Sequence, residues 1–197
     1  MSLKSSFFGR DKKYELVRDQ QIIVDGKTLY RIRALRDFGR VKAGDLGGFV
    51  ASERNLSHLG ACWIGDEAQV FGEATVSDDA QVFACSRIHG HARVGDKGQV
   101  LGNAEVFEHG WVFKKGVVFD NARVLGRAQV RDQGMVFGDA IICDEVRVLE
   151  RGQVCGNAYL QGTAVVDGHE KGSQPPPPRG PKSGGRGRSR SPAGRRL

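Results

Sequence analysis

An aliphatic residue recurs at every sixth position from Ile64 to Val166, without a slip. The series starts Ile64, Val70, Val76, Val82, Ile88 and ends Val148, Val154, Leu160, Val166. Two residues before each stands a small side chain, such as Cys62, Ala68, Ala74, Ala80 and Ser86; only Val146 is larger. A strand alternates its faces with period two, so the small residue and the aliphatic point to the same side. The residues between one pair and the next are rich in Gly, Asp and Asn, as in Gly65-Asp66, Gly102-Asn103, Asp120-Asn121 and Gly156-Asn157. Such residues accept φ > 0 or bond their own backbone, so they turn corners. A period of six is not helical, and Gly with β-branched residues makes poor helix. The chain is therefore all-β, with repeated short strands wound into a prism in which each unit contacts its neighbours.

The net charge of +7 is unevenly placed. Glu170–Leu197 holds eight of the 30 Lys and Arg residues and one acid, while the preceding body has 22 of each sign. All six prolines also lie in that segment. Three parts follow: an N-terminal β cap (1–40), the repeat (41–168) and a basic Pro/Arg/Gly/Ser-rich tail (169–197). In the cap, Tyr14–Val17, Ile22–Val24 and Leu29–Ile32 read as strands, and Asp25-Gly26 as a hairpin turn. Val50 and Leu56 keep the six-residue step, but the next step, to Ile64, is eight, which places a two-residue bulge or a short loop in Ser57–Ala61.

The uninterrupted hexads resemble the hexapeptide-repeat superfamily. That resemblance implies a single-stranded left-handed parallel β-helix of about six to seven 18-residue coils, and it alone supplies the hand. The N-terminal cap, VKAGDLGGFV (41–50) and Ala61-Cys62-Trp63-Ile64 are similar to an uncharacterised bacterial and phage-borne group labelled acetyltransferases by fold.

With eighteen residues per coil, the outward positions form columns on three faces. Face 1 carries Gly65, Phe83, Leu101, Phe119, Phe137 and Cys155, beside Trp63, Gln81, Gln99, Val117, Met135 and Gln153. It is apolar, and an exposed apolar stripe marks an interface. Phe83, Leu101, Val117, Phe119, Met135 and Phe137 are the expected contacts of a homo-oligomer, a trimer first. Face 2 is mixed, and face 3 is mixed to basic around Trp111 and Phe113. Stacked Asn103, Asn121, Asp139 and Asn157 read as an amide ladder. Asp78, Asp96, Lys114, Asp132 and Glu150 read as turn caps.

His91 and His109 lie one coil apart. Hexapeptide acyltransferases use a histidine as general base, so the resemblance nominates His109 first, then His91, with Glu108 beside His109. Yet no loop interrupts the array, and no His-x4-His pair or other metal pattern is present, so no metal and no cofactor is expected. The four cysteines lack CxxC spacing and read as reduced thiols of a soluble cytoplasmic protein. No stretch has membrane-spanning length and apolarity. The tail cannot bury a core and reads as disordered. Arg186, Arg188, Arg190, Arg195 and Arg196, set among Gly and Ser, fit a weak, non-specific polyanion contact with nucleic acid or an acidic protein.

The expected function is a non-enzymatic β-helical scaffold that self-associates through face 1. The alternatives are a trimeric acyltransferase using acetyl-CoA and a nucleic-acid-associated factor acting through the tail.

Overall fold

The structure, a computed structural model, describes residues 12–168. It is an all-β solenoid of about seven turns, built of stacked parallel coils. Each hexad contributes one two-residue rung, and each rung pairs with those eighteen residues before and after it. Face 1 is a six-stranded sheet running from Trp63–Ile64 to Gln153–Val154. Face 3 is another, from Thr75–Val76 to Val165–Val166. Face 2 continues into the cap and makes one nine-stranded sheet.

The columns dictate this arrangement. The aliphatics from Ile64 to Val148 are inaccessible or nearly so, and stack into one continuous core. Each backbone N–H flanking them donates to a carbonyl of the next coil, for example Phe119 N to Val136 O at 3.0 Å. The small column fits where the chain turns. On face 1 it narrows to glycine: a Cβ added at Gly116 would sit 2.2 Å from Val130 O, and one at Gly152 would sit 2.3 Å from Val166 O. Val146, the largest member of the column, is fully buried.

The corners follow one rule. Every sixth residue from Asp66 to Gly162 has positive φ, between 49° at Glu150 and 77° at Gly162. Many of these residues are acidic, and six of those carboxylates accept the amide N–H of the residue one coil on. The acceptors are Asp66 (Ala84 N, 3.0 Å), Asp78 (Asp96 N, 3.1 Å), Asp96 (Lys114 N, 3.1 Å), Glu108 (Gly126 N, 2.8 Å), Asp120 (Gly138 N, 3.1 Å) and Asp144 (Gly162 N, 2.8 Å). The left-handed conformation costs a non-glycine residue about 1–2 kcal/mol, and the charge-assisted bond offsets it.

The cap is a hairpin of β1 (Tyr14–Val24) and β2 (Lys27–Ala34), followed by β3 (Leu46–Val50). Tyr14–Val17 and Ile22–Val24 belong to one strand, β1, whose register slips between Val17 and Gln21. β3 pairs antiparallel with β2 and in parallel with Gln69–Val70, so it joins hairpin to solenoid. Leu56 bridges Val76, so the first turn spans twenty residues, and the two extra residues fall in the expected bulge.

A buried polar cluster stitches that bulge to β1. Lys13 is inaccessible; its Nζ donates to Cys62 O (2.9 Å), Leu59 O (3.3 Å) and Gly60 O (3.4 Å), and lies 3.1 Å from Cys62 Sγ. Tyr14 donates to Leu56 O at 2.8 Å and stacks on His58. Asn55 donates to Ala74 O and Gly72 O. The other end of the solenoid is barer: Tyr159 and Val165 are 51% and 50% exposed.

Candidate functional site

The rungs of face 1 are in register, and that register sets its aromatics one coil apart. Phe119 and Phe137 stack with centroids 4.8 Å apart and planes 5° from parallel. Leu101, Val117 and Met135 surround them, all half-buried. Phe83 behaves differently. Its ring lies over Gly65, where an added Cβ would come within 2.3 Å of it, and this covers Gly65. Trp63, expected to face outward, is only 3% exposed. Phe38 of the cap packs edge-on against it, with centroids 5.4 Å apart. The 39–46 loop therefore overhangs the start of face 1 and encloses a cleft of about 1020 Å³ floored by Trp63, Phe83 and Leu101.

None of the outward positions of face 1 carries a charge. Its two edges do. The corner leading to face 2 presents Asp66, Glu67, Asp120 and Asp139 and has no basic residue of its own, though Arg31 of the cap pairs with Glu67 at 2.7 Å. The corner arriving from face 3 presents Lys97, Lys114, Lys115 and Arg151 among acids. Lys114 pairs with Asp132 at 2.8 Å.

His91 and His109 share a column and stack at 5.0 Å on an exposed corner. Glu108 is adjacent in sequence, but its carboxylate accepts from Gly126 N. It belongs to the corner caps rather than to an acid–base pair with His109. Asp78 and Asp96 have the same capping role. The Asp78 carboxyl is held below the usual carboxylate range, first by Ser77 and then by the Asp96 amide. The amide ladder runs from Asn103 to Asn121 (3.1 Å) and from Asn121 to Asp139 (2.9 Å).

Two constellations escape the sequence reading. Glu105 on face 2, its side chain 15% exposed, faces His89 Nε2 at 3.1 Å, Arg123 at 3.3 Å and Arg87 at 3.5 Å. Arg87 also reaches Asp25 at the hairpin tip, at 2.7 Å. His89 is stacked between Phe71 and Phe107 at 5.0 and 5.1 Å. An open depression of about 460 Å³ lies beside this cluster, lined by Arg87, Arg123, the Asn103–Asn121 ladder and Ile141. The signal was present in the columns: 87, 105 and 123 are eighteen apart and alternate in charge. The Lys13–Cys62–Asn55–His58 cluster had only the register break at 57–61 to announce it.

No family model matches the chain, and no curated protein is similar to it.

Among the described residues no group of three or more His, Cys, Asp or Glu could hold a metal ion. No helix of the described residues is long and apolar enough to cross a membrane. Cys62 and Cys143 are buried free thiols, and Cys85 and Cys155 are exposed ones. Burial raises the Cys62 thiol above its ordinary value, with Lys13 opposing. The proposed polyanion residues Arg186, Arg188, Arg190, Arg195 and Arg196, and with them the disordered-tail expectation, lie outside the described residues.

Proposed function

We propose that the chain is a non-enzymatic hexapeptide-repeat scaffold that assembles with further copies of itself through face 1 and presents its basic tail to polyanions. The observation that carries this reading is the complete absence of charge across face 1, set around the Phe119–Phe137 stack. An uncharged face meets another copy without burying an unpaired ion. Its edges add direction. The acidic edge of one copy complements Lys97, Lys115 and Arg151 on the opposite edge of the next, and none of these three has a carboxylate partner among the described residues. Head-to-tail edges of this kind generate a ring where the rotation closes, and a trimer is the simplest such ring for a three-faced prism.

The test is the solution mass of the full chain by light scattering across a concentration series. A discrete trimer is expected. Phe119→Lys with Met135→Lys should shift it to monomer while the circular dichroism spectrum of the folded chain stays unchanged. A wild-type monomer at all concentrations overturns the assembly reading. Saturable acetyl-CoA binding in a titration overturns the non-enzymatic reading.

A further inference from the structure

Face 3 has the opposite chemistry from face 1. Its register places Arg93 one rung below Trp111, with Gln129 and then Arg147 above. At about 4.8 Å per rung the two arginines stand about 14 Å apart, with the indole between them. Trp111 is 37% exposed and stacks on Phe113, centroids 4.0 Å apart. Arg93 and Arg147 are exposed and have no carboxylate partner among the described residues. Arg131, one rung above Phe113, is paired with Asp132 at 2.9 Å. The one carboxylate among the outward positions, Asp167, lies three coils beyond Phe113. Arg127 continues the His91–His109 column along the adjoining corner.

We propose that face 3 binds single-stranded nucleic acid, with a base stacked on Trp111 and phosphates held by Arg93 and Arg147. Cations explain attraction to any polyanion, but they do not explain an exposed indole, backed by the half-buried Phe113 ring, between them. Burying flat rings against a polyanion requires a ligand that carries flat rings of its own. A duplex keeps its bases stacked inside, and an acidic peptide offers carboxylates without rings. Face 3 is a separate sheet from the apolar one, so this site does not depend on assembly through face 1. It also differs from the tail, which contains no aromatic residue.

The chain has two tryptophans, and Trp63 is 3% exposed. Quenching of intrinsic fluorescence by a ligand therefore reads Trp111. The experiment titrates the full chain with a short thymidine oligonucleotide, and separately with polyphosphate and with polyglutamate. Saturable quenching by the oligonucleotide alone is expected. Trp111→Leu should abolish it and weaken binding, measured by anisotropy of a labelled oligonucleotide, by roughly 5- to 150-fold, the value of one stacked base. Arg93→Gln and Arg147→Gln should each reduce the salt slope by about 0.7, the single-strand value for one phosphate contact, while leaving the fold intact. Absence of quenching overturns the proposal. So does equal quenching by polyphosphate, which would mark a plain polyanion surface, or by polyglutamate, which would mark an acidic protein partner. Undiminished affinity in Trp111→Leu would assign the binding to the tail instead.

Discussion

Gly116→Ala separates two accounts of the small column on face 1. Gly116 does not sit at positive φ, so conformational freedom does not explain it. If glycine there were incidental, alanine would stabilise the protein by about 0.4–1 kcal/mol through the unfolded chain. The structure predicts the opposite sign. The new methyl would lie 2.2 Å from Val130 O and 2.6 Å from Val130 C. Relief requires the carbonyl to retreat by more than an ångström, on the order of a van der Waals contact distance. That same carbonyl accepts the Phe113 N–H at 3.1 Å, within the ladder between Trp111–Val112 and Gln129–Val130. Overpacking costs about 1–3 kcal/mol, and the lengthened hydrogen bond about 0.5–1.5. Subtracting the unfolded-state gain leaves a net loss of about 2 kcal/mol. Urea unfolding followed by circular dichroism should show a lower midpoint. Native-state hydrogen exchange should locate the loss: amides of the coils holding Phe113 and Val130 should exchange about thirtyfold faster if they open locally. A neutral or stabilised Gly116→Ala would refute the claim that this corner is closed by backbone contact.

Four further substitutions probe other parts of the structure. Ala84 holds φ +61° without a carboxylate or a glycine, so Ala84→Gly should raise stability by about 0.5–1 kcal/mol, the left-handed penalty less the entropic cost of glycine; a lower urea midpoint would contradict it. Val118→Asp buries an unpaired charge at a fully inaccessible position and should cost several kcal/mol, unfolding one or more coils by circular dichroism, whereas Phe119→Lys next to it should leave the folded circular dichroism spectrum intact. The His58 imidazole is held below its ordinary value of 6.5, chiefly by burial, with Glu53 opposing. The unfolded chain then takes up the proton first, so the His58 contribution is complete above about pH 6.5 and falls as pH drops below it. His58→Gln should flatten the stability profile in that window, and an unchanged slope would place the acid sensitivity elsewhere.

The repeat is legible because each side chain's direction follows from its position in a six-residue unit. Val118 points in and Phe119 out whatever lies at either end of the prism, and the parallel register of Val117 with Gln99 and Met135 follows from the count of eighteen. The corner caps are legible for the same reason: Asp78 and Asp96 fall in one column, and their carboxylates find the amide one coil on. Legibility stops where the period stops. Trp63 has the sequence position of an outward residue, yet Phe38 and the 39–46 loop cover it, because the cap's path over face 1 is not periodic. Lys13 has no sequence feature that separates it from Lys12. One is inaccessible among carbonyls, and the other is exposed and paired with Glu53 at 2.8 Å. The difference is the environment each meets just before β1: the loop carbonyls of Leu59, Gly60 and Cys62 surround Lys13, and Glu53 meets Lys12.

The histidines mark the limit for the candidate sites. The column count places His91 over His109, and they stack. It does not say that Glu108 turns its carboxylate to Gly126 N, since a side chain's rotamer depends on which donor lies nearest in three dimensions. The Arg87–Asp25 contact joins residues 62 apart, and no spacing rule links a hairpin tip to a solenoid rung.

By itself the sequence determined the unit, its inside and outside, the neutral face and the basic aromatic one, because local strand geometry repeated at constant period leaves no freedom in those choices. The tertiary structure alone decided how the cap closes the first coil, which aromatics it hides and which carboxylates are occupied. Those outcomes depend on contacts between segments that share no period, where burial and hydrogen-bond geometry in space select the partner.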